Sequence, residues 1–102
     1  MKKSGEKSYV VRCDRRVLKK DILALPAKIR SIIIDFIDND LTIDPLSAGK
    51  KLHGEFEGYR RADINNYRIV YSADTVERRV DVASVKHRQG VYKQSLKKPR
   101  KR

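Results

Sequence analysis

The sequence predicts an α+β fold in which two N-terminal helices pack on one face of a small, mainly antiparallel β-sheet. Three observations predict it. Apolar residues recur with a helical period between residues 26 and 40, the period changes to two after residue 50, and Asn65–Asn66 separates two alternating runs. A chain of 102 residues is long enough for one such domain and too short for two.

The elements follow in order. Residues 8–13, SYVVRC, carry the β-branched and aromatic content of a short strand, and Asp14 is placed to cap a short helix over about 15–24. Pro26 opens a second helix, where its fixed φ suits the first turn. Ile29, Ile32, Ile33, Phe36 and Ile37 then recur at i, i+3, i+4, i+7 and i+8, the spacing of one buried face. This helix is expected to end near Asn39–Asp40, and LTIDPLSAG after it has the Pro and Gly of a loop.

In RADINNYRIVY, asparagine tolerates the positive φ that a two-residue hairpin turn requires. A turn at Asn65–Asn66 sets Ile64 against Tyr67 and Ala62 against Ile69 on one side of the sheet. Arg61, Asp63, Arg68 and Val70 then face the other. Arg79 to Lys86 reads as a further antiparallel strand, and Tyr59, Tyr67 and Tyr71 are expected in or beside the core. The helices cover the apolar face, and the opposite face stays open to solvent.

Composition narrows the function. The formal charge is +12, from 25 Lys and Arg against 13 Asp and Glu, which favours a polyanionic partner. Residues 93–102 hold six bases and no acid and residues 1–8 three bases and one acid, so residues 9–92 retain only +4. The expected organisation is a flexible basic segment over 1–8, a domain over 9–92 and a disordered basic tail over 93–102. No stretch approaches the roughly 20 apolar residues of a membrane span, and the opening MKKSGEKSYVV has no apolar segment, so a cytoplasmic protein is expected. The single cysteine, Cys13, excludes an internal disulfide and fits a half-buried strand position, and the two histidines offer no metal constellation.

Arg61, Arg68 and Arg88 recur at the sheet, joined by His87 and Tyr92. Cleaving RNA through its own 2′-OH needs a group to take that proton, cations to hold charge on the phosphorus oxygens and a donor for the departing 5′-oxygen. Arginine suits the cationic role because its planar fork binds phosphate oxygens in pairs. Histidine titrates near neutrality, and a tyrosine can stack on a base. Simpler roles exist as well: Arg68 lies across from Asp63 and can form a cross-strand ion pair without any ligand.

The ordered series KLHGEFEGYRR (51–61), NNYRIVY (65–71) and VKHRQGVY (85–92) resembles the RelE/ParE superfamily of toxins from prokaryotic type II toxin–antitoxin modules, over roughly residues 9–92. The resemblance implies a RelE-like, microbial-ribonuclease-like fold, a co-encoded antitoxin as partner and, in the RelE branch, metal-independent cleavage of mRNA at the ribosome with no cofactor. DNA contact is implied only through the antitoxin complex. Carried over by position, Arg68 matches the arginine of the family's YR-aliphatic-VY strand, Arg88 the arginine after the last strand and Tyr92 the tyrosine beyond it. With Arg61 and His87 these are the catalytic candidates, and Lys50, Lys51, His53, Arg60 and Lys86 are the candidate RNA contacts. The chain departs from the RelE pattern between Tyr59 and Tyr67, where Arg60 and Arg61 are followed by Ala62 and Asp63 instead of further alternating bases. The acid either weakens phosphate affinity or holds Arg68 in place. Two other readings stand beside the nuclease: a ParE-like inhibitor of DNA gyrase, and a noncatalytic RNA-binding module dominated by its basic tails.

Overall fold

Residues 8–88 of the protein are described by a computed structural model, and among them lies a five-stranded sheet. Its strands are β1 (Val10–Cys13), β2 (Lys50–Lys51), β3 (Arg60–Ile64), β4 (Tyr67–Asp74) and β5 (Arg79–His87), in the spatial order β1-β5-β4-β3-β2. The basic tail expected over 93–102, Tyr92 and all but Ser8 of the N-terminal segment lie outside the described residues. The α+β expectation holds. Among the described residues no helix is long and apolar enough to cross a membrane.

The hairpin forms in the expected register. Asn65 takes φ +57°, and Ile64 pairs with Tyr67, Ala62 with Ile69 and Asp63 with Arg68. β4 and β5 are antiparallel, with an irregularity between Val70 and Tyr71: Val70 pairs with Ser84 and Tyr71 with Val82, so Ala83 is an extra residue on β5. This bulge shifts the alternation by one, and both Val82 and Val85 turn toward the core. The sheet is not wholly antiparallel, because β1 runs parallel to β5 from Val10↔Arg79 to Cys13↔Val82. The expected open side is also drier than alternation suggests, since Val70 and its partner Ser84 are both buried.

The longer helix, α1 (Ala27–Asp35), continues through a π-helical stretch, Phe36–Asp40, into α2 (Leu41–Ile43). It therefore runs past the expected end at Asn39–Asp40, because Leu41 prolongs the i, i+4 row of Ile33 and Ile37 and is fully buried with them. Ile29 and Phe36 flank this row. Ile32 does not join it: one residue away from Ile33 around the helix, it is 41 % exposed. Pro45 then forces a break, since Asp44 leaves the helical region with φ −148° and ψ 75°, and a short turn, α3 (Pro45–Ala48), follows with the Asp44 carboxylate accepting the Ser47 N–H.

The first helix begins at residue 15 as expected but ends early, its last part a π-helical turn over Val17–Asp21. Asp14 caps its approach by accepting the Arg16 N–H at 2.9 Å. Arg30 of α1 donates to the carbonyls of Ile22 and Leu25 beyond this turn, at 3.3 and 3.1 Å, so α1 closes the end that the short helix leaves open. The core between helices and sheet is built from Val17, Ile22, Leu25, Ile33, Ile37 and Leu41 against Ile69, Tyr71, Val80, Val82 and Val85.

Candidate functional site

On the side of the sheet away from α1, alternation along β3 and β4 places Arg61, Asp63 and Arg68 together. Asp63 is their hub. Arg68 donates to it twice, Nε to Oδ1 at 2.6 Å and Nη2 to Oδ2 at 3.2 Å, while Arg61 donates Nη1 to Oδ2 at 3.0 Å. The hydrogen bond from Arg68 holds the Asp63 carboxyl below the ordinary carboxylate range against a smaller opposing effect of burial, and the charges of Arg68, Arg61 and Arg88 add to it. Arg88 thus acts on the same point. Its N–H bonds the carbonyl of Asn66 at 2.8 Å, which fixes the chain beside the hairpin turn just past β5.

Lys86 stands across from Arg68 on β5, but its ammonium is taken by Asp21 at 2.8 Å. Asp21 is buried and also accepts the N–H of Val85 at 3.0 Å, filling the edge of β5 beyond the end of β1. Lys86 is thereby part of an anchor. His87 pairs with Tyr67 and meets its ring edge-on, with centroids 5.2 Å apart and planes at 74°. Since Tyr67 and Ile69 point toward the helix layer, His87 lies on the opposite face from Arg61, Asp63 and Arg68. The five catalytic candidates are therefore not brought to one point: Arg61 and Arg68 meet at Asp63, Arg88 follows β5 beside the hairpin turn with its charge acting on Asp63, His87 is turned away, and Tyr92 lies outside the described residues.

The candidate RNA contacts divide likewise. Lys50 pairs with Arg61 at the β2 edge and is exposed beside it. Arg60 is committed to the fold, donating Nη1 to the carbonyls of Leu46 and Gly49 at 3.0 and 3.3 Å. Lys51 and His53 line a separate cleft with Arg60, Leu46, Glu57 and Tyr59. It lies beside the α3 turn, away from Asp63.

Sequence reasoning missed Asp21, Arg30 and the packing of Gly49. Tyr71 is fully buried and donates its hydroxyl to the carbonyl of Pro45 at 2.7 Å, and burial pushes its pKa up to about 12. A Cβ on Gly49 would come within 2.6 Å of that hydroxyl and 2.5 Å of the Arg61 carbonyl, so this glycine is needed for close approach. Cys13 is half-buried as expected; burial raises its pKa and Asp38 adds to the shift.

Known proteins place the chain. No protein-family model matches it. Toxin RelE of Mycobacterium tuberculosis is 31 % identical over 81 residues, 79 % of this chain and 84 % of that protein. Toxin RelG of the same organism is 32 % identical over 75 residues, 74 % of this chain and 86 % of that protein. The toxin–antitoxin complex RelBE2 from M. tuberculosis contains a chain that superposes with a TM-score of 0.74 at 31 % identity, covering 78 % of this chain and 98 % of that one. With its sequence shared over most of its length with RelE and RelG and its fold superposing on the RelBE2 chain, the chain belongs to the RelE family, as the toxin component of a type II toxin–antitoxin module.

Proposed function

We propose that the protein is an mRNA-cleaving endoribonuclease that acts at the ribosome in the cytoplasm and halts translation, with the scissile phosphate held by Arg61, Arg68 and Arg88. The observation that carries this reading is the meeting of Arg61 and Arg68 on the sheet face away from the helices, with Arg88 anchored beside the hairpin turn where its charge also acts on Asp63. In the reaction, the 2′-oxygen of RNA loses its proton and bonds to phosphorus, the bond from phosphorus to the 5′-oxygen breaks, and that oxygen takes up a proton. Two guanidinium forks and a third cation meet the charge that builds on the non-bridging oxygens. In this reading Tyr92 is the candidate for a proton role, and His87, packed edge-on against Tyr67 on the opposite face, takes none. Lys50, exposed beside Arg61, extends the basic track along the strand edge.

An antitoxin is the protein partner. The RelBE2 relative is a toxin–antitoxin complex, which supports a cognate antitoxin chain for this toxin; in this reading any DNA contact is made through that complex. Single-turnover cleavage of mRNA on programmed ribosomes tests the assignment, with DNA supercoiling by gyrase as the parallel arm. Cut mRNA that disappears in Arg88→Ala supports the nuclease. Intact mRNA with inhibited supercoiling assigns the chain a ParE-like activity instead.

A further inference from the structure

Asp63 accepts three guanidinium hydrogen bonds from the two arginines of the basic face. A phosphodiester bridging Arg61 and Arg68 would draw on the inward-facing donors that those two side chains now give to one carboxylate, Nε and Nη2 of Arg68 and Nη1 of Arg61. A carboxylate and a phosphate present the same pair of anionic oxygens to a guanidinium fork, so they compete for it. Asp63 also removes one unit of positive charge from the surface, leaving the triad of two arginines and one aspartate at a net +1.

From this geometry we propose that Asp63 is a built-in competitor for the RNA phosphate, a residue that sets how tightly this face binds its substrate. The inference rests on the reading of the face as a phosphate-binding surface. RNA binds by displacing the carboxylate from at least one arginine, and the affinity of the toxin is held down by the cost of that exchange. The opposing possibility is that Asp63 positions the arginines for the phosphate. The two differ in sign, because loss of a competitor tightens binding and loss of a positioner weakens it.

The test uses the full chain and a short single-stranded RNA oligonucleotide. Asp63→Asn keeps a carbonyl oxygen that can still orient Arg68 but removes the charge, while Asp63→Ala removes both. Both variants should bind RNA roughly 10-fold more tightly at low salt, the scale of one additional charge-assisted hydrogen bond to the phosphate. The dependence of log affinity on log salt should steepen by up to about 0.7, the value for one further phosphate neutralised on a single strand. The tighter binding should vanish when Arg61→Ala and Arg68→Ala are introduced in the same chain. Unchanged or weaker binding by Asp63→Asn, with a wild-type melting curve, overturns the competitor role. If Arg61→Ala and Arg68→Ala leave RNA binding untouched in the wild-type background, the phosphate surface itself is wrong and the proposal falls with it.

Discussion

Asp21 and Val85, 64 residues apart in sequence, are joined by a 3.0 Å hydrogen bond in which the strand N–H donates to a buried carboxylate. The other oxygen of Asp21 receives the ammonium of Lys86 at 2.8 Å. One acid therefore satisfies the free edge of β5 and holds a base that sequence alone offers to RNA. Asp21→Ala should lower unfolding stability by about 2 kcal/mol, since it strips a buried donor of its partner and breaks a half-buried ion pair. Asp21→Asn, which keeps an acceptor for Val85, should cost less. Urea denaturation at neutral pH separates the two.

The Tyr71 hydroxyl, Pro45 and Gly49 fasten the α3 turn to the sheet. Tyr71→Phe leaves the Pro45 carbonyl without this donor and should cost about 1–2 kcal/mol. Gly49→Ala should cost at least as much, about 1–3 kcal/mol, because its Cβ meets backbone that cannot swing aside. Chemical denaturation of the two variants beside wild type measures both losses.

Alkaline titration gives an independent check on the same contact. The pKa of Tyr71 is raised from near 10 to about 12 in the folded protein, so the stabilisation it supplies is fully present below pH 10. That stabilisation is lost as the pH climbs toward about 12, because the unfolded chain then releases the phenolic proton first. In Tyr71→Phe this part of the alkaline loss should disappear from thermal melts recorded across that range.

Arg88, whose charge acts on Asp63, and His87, whose ring packs on Tyr67, are neighbours in sequence, which makes them a matched pair for kinetics. Arg88→Ala should slow single-turnover cleavage on ribosomes by roughly 100-fold, the usual scale for one electrostatic donor at a developing charge. His87→Gln, whose ring packs on Tyr67, should slow it less than about 10-fold, below the range of a residue that transfers protons. A loss for His87→Gln equal to that for Arg88→Ala would show that the imidazole reaches the phosphate around the end of β5.

Deleting residues 95–102 removes five of the chain's bases and none of the described core. Association with ribosomes should weaken chiefly through a shallower salt dependence, while the melting temperature stays within about 1–2 °C of wild type. Isothermal binding at several salt concentrations, paired with melts, measures both.

The hairpin is legible in the sequence because its signals are local. Two asparagines fix the turn, and strict alternation then dictates every pair from Ile64 and Tyr67 outward. The helix row of Ile29, Ile33 and Ile37 is legible for the same reason, and Ile32 is misplaced because a spacing rule spreads a stripe over more of the helix than the sheet covers. The parallel pairing of β1 with β5 has no local signature, as its partners are about seventy residues apart in sequence. The site divides in the same way. Arg68 against Asp63 follows from the hairpin, whereas the capture of Lys86 by Asp21 and the turning of His87 onto Tyr67 depend on how long β5 runs past β1 and where its bulge falls.

The position of β5 has a consequence for how the protein comes to be made. Among the described residues it is the last of the strands in sequence, and it sits second in the sheet, between β1 and β4. A nascent chain that has not yet released residues 79–87 has β1 without a neighbour, Asp21 without Val85 and much of the core uncovered. Closure must wait for long-range pairing, the slow kind of contact in folding. Arg88 comes into place only with that final strand. The basic face therefore assembles in one late step, and a truncated or stalled translation product carries Arg61 and Arg68 without the sheet that presents them.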